Sequence, residues 1–438
     1  MARYIVYCLF IVSCLFAYVP ALNAQTDSLF LTVDQLFEQG IRNSLRLQAD
    51  DLKEAIAREG AKAARSGRLP EVQVGLKGGF IGQPVIWQRG LAAPTTPDAP
   101  DWSQNYAVDL TQPLYLGGKI QRTIRKADIE KEIAELQTLN DQGEVKLALL
   151  NQYLNLFSLY KQHEVLVRNI EESERRLHDI RRMKQEGLIT NNDVLRSEMQ
   201  LTNDRLARQE TENSITLVSQ GINILIGQDE NLLLKPDTTL LAQAVALESY
   251  DDYVRIAFAN DPAMRMLRAQ IRLANNDVSL SRAASRPTLS FYASNALARP
   301  VQRTMADMYN NNWNFGLSLA YPLSSLYKNN HQIRAKKWTV ALRRNEEGQK
   351  MQSLRMEVRT AYLRHQEALQ RVEALRLSEL QAEENYRIMQ NRYLGQLAIL
   401  TDLLDAYTVR LNVELQLVTA RTQVIYTYYQ LQKACGRL

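Results

Sequence analysis

The sequence predicts a mainly α-helical chain with a small β part, written twice: long helical hairpins combined with four short strands. Three observations carry that expectation. Landmark residues recur at one constant spacing, two very long stretches contain no proline, and four short segments alternate apolar with polar residues.

The N-terminus reads as a processing segment. Arg3 precedes an apolar run from Tyr4 to Val19, and Pro20-Ala21-Leu22-Asn23-Ala24-Gln25 follows. A charged start, an apolar stretch and a small residue before a polar one predict a secretory signal, residues 1–24, cut after Ala24. Ser13-Cys14 offers a competing lipidation site, but the apolar run continues through Leu15, Phe16 and Val19. Cys8 and Cys14 fall inside this segment and leave Cys435 alone, so no intramolecular disulfide is expected in the mature chain. No later run of about 18 apolar residues occurs; a membrane crossing would therefore need strands. The net charge of +5 is small for 438 residues and has no basic block behind it, which argues against nucleic acid as a partner.

Gln112-Pro113-Leu114 matches Tyr321-Pro322-Leu323, Asp193-Val194-Leu195 matches Asp402-Leu403-Leu404, and Ile226-Gly227 matches Cys435-Gly436. Every pair is 209 residues apart, from 113 to 322, 193 to 402 and 227 to 436. Gly143 with Gly348 and Pro70 with Pro287 keep the same order at looser spacing. An ordered series at constant offset is a duplication. The expected domains are a first repeat over 25–230, a linker over 231–248 and a second repeat over 249–438.

Within the first copy a helix is expected from Val33 to Arg68, stopped by Gly67 and Pro70. From Gly118 to Glu186 there is no proline and one glycine, Gly143, with apolar residues such as Ile124, Leu136, Leu150, Tyr153 and Phe157 at helical spacing. Tyr327 to Leu394 is the counterpart, interrupted only by Gly348. Each would extend on the order of 100 Å, far beyond an ordinary globular helix and suited to a coiled-coil-like assembly. Return helices are expected from about Asn192 to Ile226 and Thr401 to Ala434.

Strands are expected at Val72, Val74 and Leu76; at Tyr106, Val108 and Leu110; at Leu289, Phe291 and Ala293; and at Trp313, Phe315, Leu317, Leu319 and Tyr321. In each the residues between are mostly polar or small. Four strands of about ten residues with one apolar face match transmembrane β-strands, and Trp313 and Tyr321 would suit the two interfacial aromatic girdles. The joining loops, Gly82 to Ser103 and Ala298 to Asn311, are long and polar. A soluble sheet in a periplasmic coiled-coil adaptor or scaffold is the competing reading, and a water-soluble monomer would support it.

Four strands cannot close a barrel, and an open edge in lipid costs several kcal/mol for each unpaired backbone group. Protomers would have to share one barrel. Two would give eight strands with a filled interior; three would give twelve and leave room for a channel.

The chain resembles the outer-membrane efflux protein family, the TolC-like channels. The marks are the duplicated plan, the strand exit Gln112-Pro113-Leu114-Tyr115 with Gly117-Gly118-Lys119, the stretch Thr401-Asp402-Leu403-Leu404-Asp405-Ala406, and the glycines Gly227 and Gly436 ending the last helices. The resemblance implies a homotrimer in the cell outer membrane, with a twelve-stranded barrel and a twelve-helix periplasmic tunnel. It implies a passive conduit, opened when an inner-membrane transporter and a periplasmic adaptor (membrane fusion protein) dock, serving efflux or type I secretion.

It further implies that Asp402 and Asp405 line a periplasmic constriction. Their i, i+3 spacing puts both on one helix face, and three copies at an axis would favour cations. Acids in a first helical turn also complement the helix dipole, so that reading stays open. The turns Gly187-Leu188-Ile189-Thr190 and Gly395-Gln396-Leu397-Ala398 resemble the family's adaptor-contacting tips; a glycine-capped helical hairpin turn is the plainer reading. The second turn has one residue more between glycine and aspartate and lacks a tip arginine, so the family's closed-state links do not carry over.

Catalytic patterns fail. Gly117-Gly118-Lys119 lacks the upstream glycine and the following Ser or Thr of a phosphate loop, with Pro113 and Ile120 at those positions. His163, His178, His331 and His365 have no ligand spacing, and Tyr426, Tyr428 and Tyr429 suit helix packing. No enzyme, cofactor or metal site is expected.

Overall fold

The computed structural model describes residues 28–237, 247–300 and 307–438. The expected secretory segment, with Cys8 and Cys14, lies outside them, as does the middle of the 231–248 linker. In chain order the elements are β1 (Ser28–Leu31), α1 (Val33–Asn43), α2 (Leu45–Ser66), β2 (Glu71–Phe80), β3 (Ile86–Arg89), β4 (Ala92–Thr95), β5 (Trp102–Leu116), α3 (Lys119–Gln185) and α4 (Asn191–Ile226). After them come β6 (Leu233–Pro236), α5 (Tyr250–Asn260), α6 (Pro262–Ala283), β7 (Thr288–Arg299), β8 (Asn310–Ala320), α7 (Ser325–Leu394) and α8 (Leu400–Ala434). The two long helices run unbroken for 67 and 70 residues, within two residues of the expected limits. Among the described residues no helix is long and apolar enough to cross a membrane.

One expected helix is two. The stretch from Val33 to Arg68 breaks at Ser44, whose ψ of 114° is extended. No proline or glycine marks the spot. The second copy breaks at the corresponding place with conventional signals: Asp261 accepts from the Met264 amide at 2.6 Å and Pro262 opens α6. The reason for a break in both copies lies at the far end of each repeat. Gly227 (φ 71°) packs against the Asn43 side chain, which donates to the Ile226 carbonyl at 2.5 Å. Gly436 (φ 66°) packs against the Asn260–Asp261 backbone, where an added Cβ would lie 2.8 Å from the Asn260 carbonyl. Each left-handed glycine ends a helix and lets it abut its own repeat's break.

The chain forms two compact units, each drawing on both repeats. The first joins described parts of Met1–Ser44, Val145–Leu247 and Leu363–Gln430. One core there gathers Leu36, Leu150, Tyr153, Ile222 and Leu234; another gathers Ile180, Val194, Tyr386, Leu403 and Tyr407. A small parallel pair, β1 with β6, was not expected from the sequence. Tyr153 ties it down, donating to the Leu31 carbonyl at 2.6 Å and accepting from the Asp237 amide at 2.7 Å.

The second unit holds Leu45–Glu144, Glu248–Tyr362 and Leu431–Leu438. Its helices lie side by side, joined in sequence by polar contacts. Arg65 of α2 pairs with Asp128 of α3 at 2.6 Å, Arg272 of α6 with Glu132 of α3 at 2.5 Å, and Asn329 of α7 donates to the Ser281 carbonyl of α6 at 2.5 Å. Cys435, fully buried, points its Sγ at the Tyr253 carbonyl, and burial pushes its thiol up to about 12.

Its sheet is antiparallel in the order β2-β5-β7-β8. Register places the expected apolar residues of all four strands on one face: Val72, Leu110, Ala293 and Phe315 form one row, and Val74, Val108 and Trp313 share the next with Asn295. The opposite face carries Gln73, Asp109, Ser294 and Asn314 in a row, and Ser294 donates to Asp109 at 2.6 Å. The Gly82 to Ser103 segment is not all loop, since β3 and β4 pair as a short hairpin around Gly90. A register shift between Pro113 and Tyr115 puts a bulge in β5 beside a residue without an amide proton, and pairing with β7 resumes at Tyr115–Leu289 and Leu116–Thr288.

Candidate functional site

Two regions bear on function: the sheet in the second unit and the paired helical turns in the first. Among the described residues nothing covers the sheet's apolar face. Leu76 on β2 is 71% exposed and Leu319 on β8 73%, values that in water would make a sticky surface. Trp313 is exposed and stacks on Phe315 with centroids 6.0 Å apart. It is not at the strand end, since β8 begins three residues earlier at Asn310; Tyr321 lies one residue beyond the other end. Eight residues separate the two aromatics, roughly 26 Å along a strand, comparable with the apolar band of a membrane barrel. Among the described residues both outer strands, β2 and β8, have a neighbour on one side only.

The turns are built alike. After α3, the Leu188 amide donates to the Met183 carbonyl (2.9 Å) and the Gly187 amide to Lys184 (3.0 Å). After α7, Leu397 donates to Arg392 (2.7 Å) and Gln396 to Tyr393 (3.0 Å). Both are left-handed helix caps of the same type. The residue in the left-handed position is Gly187 (φ 75°) in the first turn but Gln396 (φ 58°) in the second, not Gly395. The 209-residue offset pairs Gly187 with Gln396, and it corrects the expectation that glycine caps both turns. Leu188 and Leu397, again 209 apart, are exposed at the two apices, whereas Ile189 is half-buried against the core. Gly187, Thr190 and Gly395 are exposed as well.

Beyond the apices the copies diverge. Thr190 caps α4: its amide donates to Asp193 Oδ2 at 3.0 Å, and the Asp193 amide donates to Thr190 Oγ1 at 3.4 Å. The equivalent of Thr190 is Ile399, which has no hydroxyl, so the counterpart of Asp193, Asp402, is released from capping. Asp402 and Asp405 are both exposed, on one face of α8, with the buried Leu403 and Ala406 between and behind them. Arg196 of α4 donates to Thr401 at 2.9 Å and joins the two hairpins beside them.

One constellation was missed in the sequence. Asp204, 4% exposed in α4, accepts from Ser173 Oγ (2.9 Å, α3), Tyr407 OH (2.8 Å, α8) and Gln200 Nε2 (2.9 Å). Arg176 donates to Ser173 at 2.8 Å and to Tyr386 OH of α7 at 3.2 Å, with its guanidinium over the Tyr407 ring at 4.4 Å. Arg410 stacks on Tyr386 at 4.1 Å, donates to Asn169 at 2.8 Å and pairs with Glu172. The polar network thus joins α3, α4, α7 and α8. Burial pushes the Tyr407 hydroxyl well up, so it remains a donor to Asp204. A readable signal existed: Val194, Ser197, Leu201, Asp204, Thr211 and Ile215 keep one helical stripe, and Asp204 is the acid inside it. Among the described residues no group of three or more His, Cys, Asp or Glu side chains could hold a metal ion.

A family model described as outer membrane efflux protein matches residues 36–228 and again residues 253–437, one match to each copy of the duplication. Solved structures of similar fold include the outer membrane protein VceC from Vibrio cholerae, with a TM-score of 0.75 at 18% identity over 92% of this chain and 96% of that one. CusC gives 0.79 at 15% identity over 95% of each chain. The open state of the MtrE outer membrane channel of Neisseria gonorrhoeae gives 0.73 at 17% identity over 92% of this chain and 88% of that one. Among curated proteins there is no match.

Proposed function

Because the chain belongs to the outer membrane efflux protein family, whose members are channels rather than enzymes, we propose that it is the outer-membrane exit duct of a tripartite export system. Three copies would place their four-stranded sheets edge to edge in a twelve-stranded barrel, with the long helices forming the periplasmic tunnel. The observation that carries this reading is the sheet itself: among the described residues its apolar face is uncovered and its two edges have no partner strand. In lipid each unpaired backbone group costs several kcal/mol, so only closure with further copies gives the sheet a stable state. The outer helices of the second unit support the same closure. Leu45, Leu52 and Ile56 of α2, and Trp338 and Leu342 of α7, form exposed apolar stripes at the two ends of the helical row.

Asp402 and Asp405 are proposed to form the constriction, three pairs of carboxylates facing one axis and favouring cations. The turns Gly187, Leu188, Ile189, Thr190 and Gly395, Gln396, Leu397, exposed except for the half-buried Ile189, are proposed to receive the periplasmic adaptor, which links the duct to an inner-membrane pump. Efflux of small molecules follows the family's description more directly than type I protein secretion. Conductance in a planar bilayer tests the core of the reading. The detergent-extracted protein is expected to migrate as a trimer and to form pores, and Asp402→Ala with Asp405→Ala to raise current and weaken cation preference. A stable monomer in plain buffer would refute the duct and support a periplasmic scaffold. Unchanged current in the double variant would refute the constriction alone. Loss of the protein from its host should raise sensitivity to toxic small molecules and leave secreted proteins unchanged; the reverse pattern would point to type I secretion.

A further inference from the structure

Where the sheet meets its helices, a groove of about 750 Å³ opens beside the last strand pairing. Its lining includes four cationic side chains brought from separate parts of the chain: Lys119 and Lys126 of α3, Arg286 between α6 and β7, and Lys336 of α7. The single acid in the lining is Asp277, 3.5 Å from Lys336. Lys126 reaches Glu130 only at 3.8 Å, and Lys119 forms no ion pair among the described residues. The groove thus keeps an excess of positive charge that the protein does not neutralise. That juxtaposition is constructed. Gly117 (φ 63°) has no room for a side chain, since a Cβ would lie 2.5 Å from the Ala283 carbonyl and 2.8 Å from Arg286 Cβ. The resulting contact lets Arg286 donate to the Gly117 carbonyl at 3.3 Å and sets it beside the start of α3.

We propose that this groove binds a phosphate-bearing anion. Lysines approaching from different elements act as separate point charges suited to a phosphate's several oxygens, and Lys119 opens the long helix α3, whose dipole is positive at that end. Gly117-Gly118-Lys119 therefore takes part in anion binding without being a nucleotide loop. Tyr321, a proposed girdle aromatic, also lines the groove, which puts it at the periplasmic boundary of the membrane. The phosphate could come from two sources, the headgroup of an anionic phospholipid or a soluble phosphate compound in the duct. This placement rests on the membrane reading of the sheet.

The test uses the full protein extracted in detergent, with Lys119→Gln/Lys126→Gln as the variant and Lys119→Arg/Lys126→Arg as the charge-preserving control. In one arm, vesicles of phosphatidylcholine with radiolabelled phosphatidylglycerol report the lipid retained after purification. In the other, inorganic phosphate and pyrophosphate are titrated against single-channel current. Each lysine removed is expected to weaken the interaction about fivefold, the value of one basic residue near an anionic lipid surface. Loss of lipid retention with unchanged phosphate response identifies the headgroup; the converse identifies a soluble anion. Both responses unchanged in the Gln variant overturn the proposal, and so does equal loss in the Arg control. Failure of the wild type to form pores would sink the duct reading while the lipid arm still decides the groove.

Discussion

Replacing Asp204 with alanine tests whether the buried polar network holds α3, α4, α7 and α8 together. The carboxylate accepts from Ser173, Tyr407 and Gln200 at 2.8–2.9 Å and is almost wholly buried. Its removal leaves the Ser173 and Tyr407 hydroxyls without an acceptor, at about 1–3 kcal/mol for each buried donor. It also strips the buried Arg176 of the carboxylate with which it shares those partners. A total of about 3–5 kcal/mol follows. Amide hydrogen exchange by mass spectrometry reads this locally, without requiring the protein to unfold reversibly. At 1.4 kcal/mol per tenfold, 3 kcal/mol corresponds to exchange about a hundredfold faster. The effect is expected in residues 197–211 and 403–411, with strand 288–299 unchanged. Tyr407→Phe removes one hydrogen bond and should give roughly a fivefold change in the same segments, near 1 kcal/mol. The reasoning fails if Asp204→Ala stays within threefold of wild type there, or if the strands accelerate equally.

Further outcomes follow from individual sites. Gly436→Ala forces a Cβ into left-handed backbone and to within 2.9 Å of three Asn260–Asp261 backbone atoms, so it should destabilise by about 2–4 kcal/mol. Gly348→Ala, mid-helix with open space around it, should stabilise by about 0.5–1 kcal/mol. Thermal inactivation at one scan rate compares them, and shifts in the same direction would refute the contrast. Gln396→Gly should relieve up to about 1 kcal/mol of left-handed strain and Gly187→Ala should cost a similar amount; a destabilised Gln396→Gly hairpin, read by exchange in 386–400, would contradict the assignment. Burial holds His365 below its ordinary 6.5, beside Thr427 Oγ1 at 2.9 Å. As pH falls below about 6.5 the unfolded chain takes up this proton first, so stability is lost on going from pH 7.5 towards 5. His365→Gln should flatten that slope, and an unaltered slope would assign the acid sensitivity elsewhere.

Much of this architecture was readable because the duplication gave every feature a second witness. The strands emerged from alternation alone, and pairing then put their apolar residues on one face. The helix break at Ser44 was hidden because Asn43-Ser44 leaves the periodicity intact and lowers helix propensity only slightly; its cause is the distant Asn43–Gly227 contact. Asp261-Pro262 at the matching place did carry the signal. The β1–β6 pair and the β3–β4 hairpin escaped because strands of four residues are too short to show a period. Gly395 drew attention away from Gln396 because residue type outranks position when a turn is read locally, whereas the constant offset pointed to 396. At the candidate constriction, sequence supplied the two acids, but only the lost cap at Ile399 explains why Asp402 is free while Asp193 is not. The Asp204 network was legible in principle, as an acid in an apolar stripe.

The one-sided pairing of β2 and β8 also bears on biogenesis. A lone copy would have no resting state in a bilayer, because the two outer strands of its four-stranded sheet would both face hydrocarbon with raw main chain. Insertion should therefore be a collective event, steeply dependent on how many copies are present at once. Halving the supply of this chain should reduce finished ducts by well over half, with the stragglers left in the periplasm for proteases or aggregation.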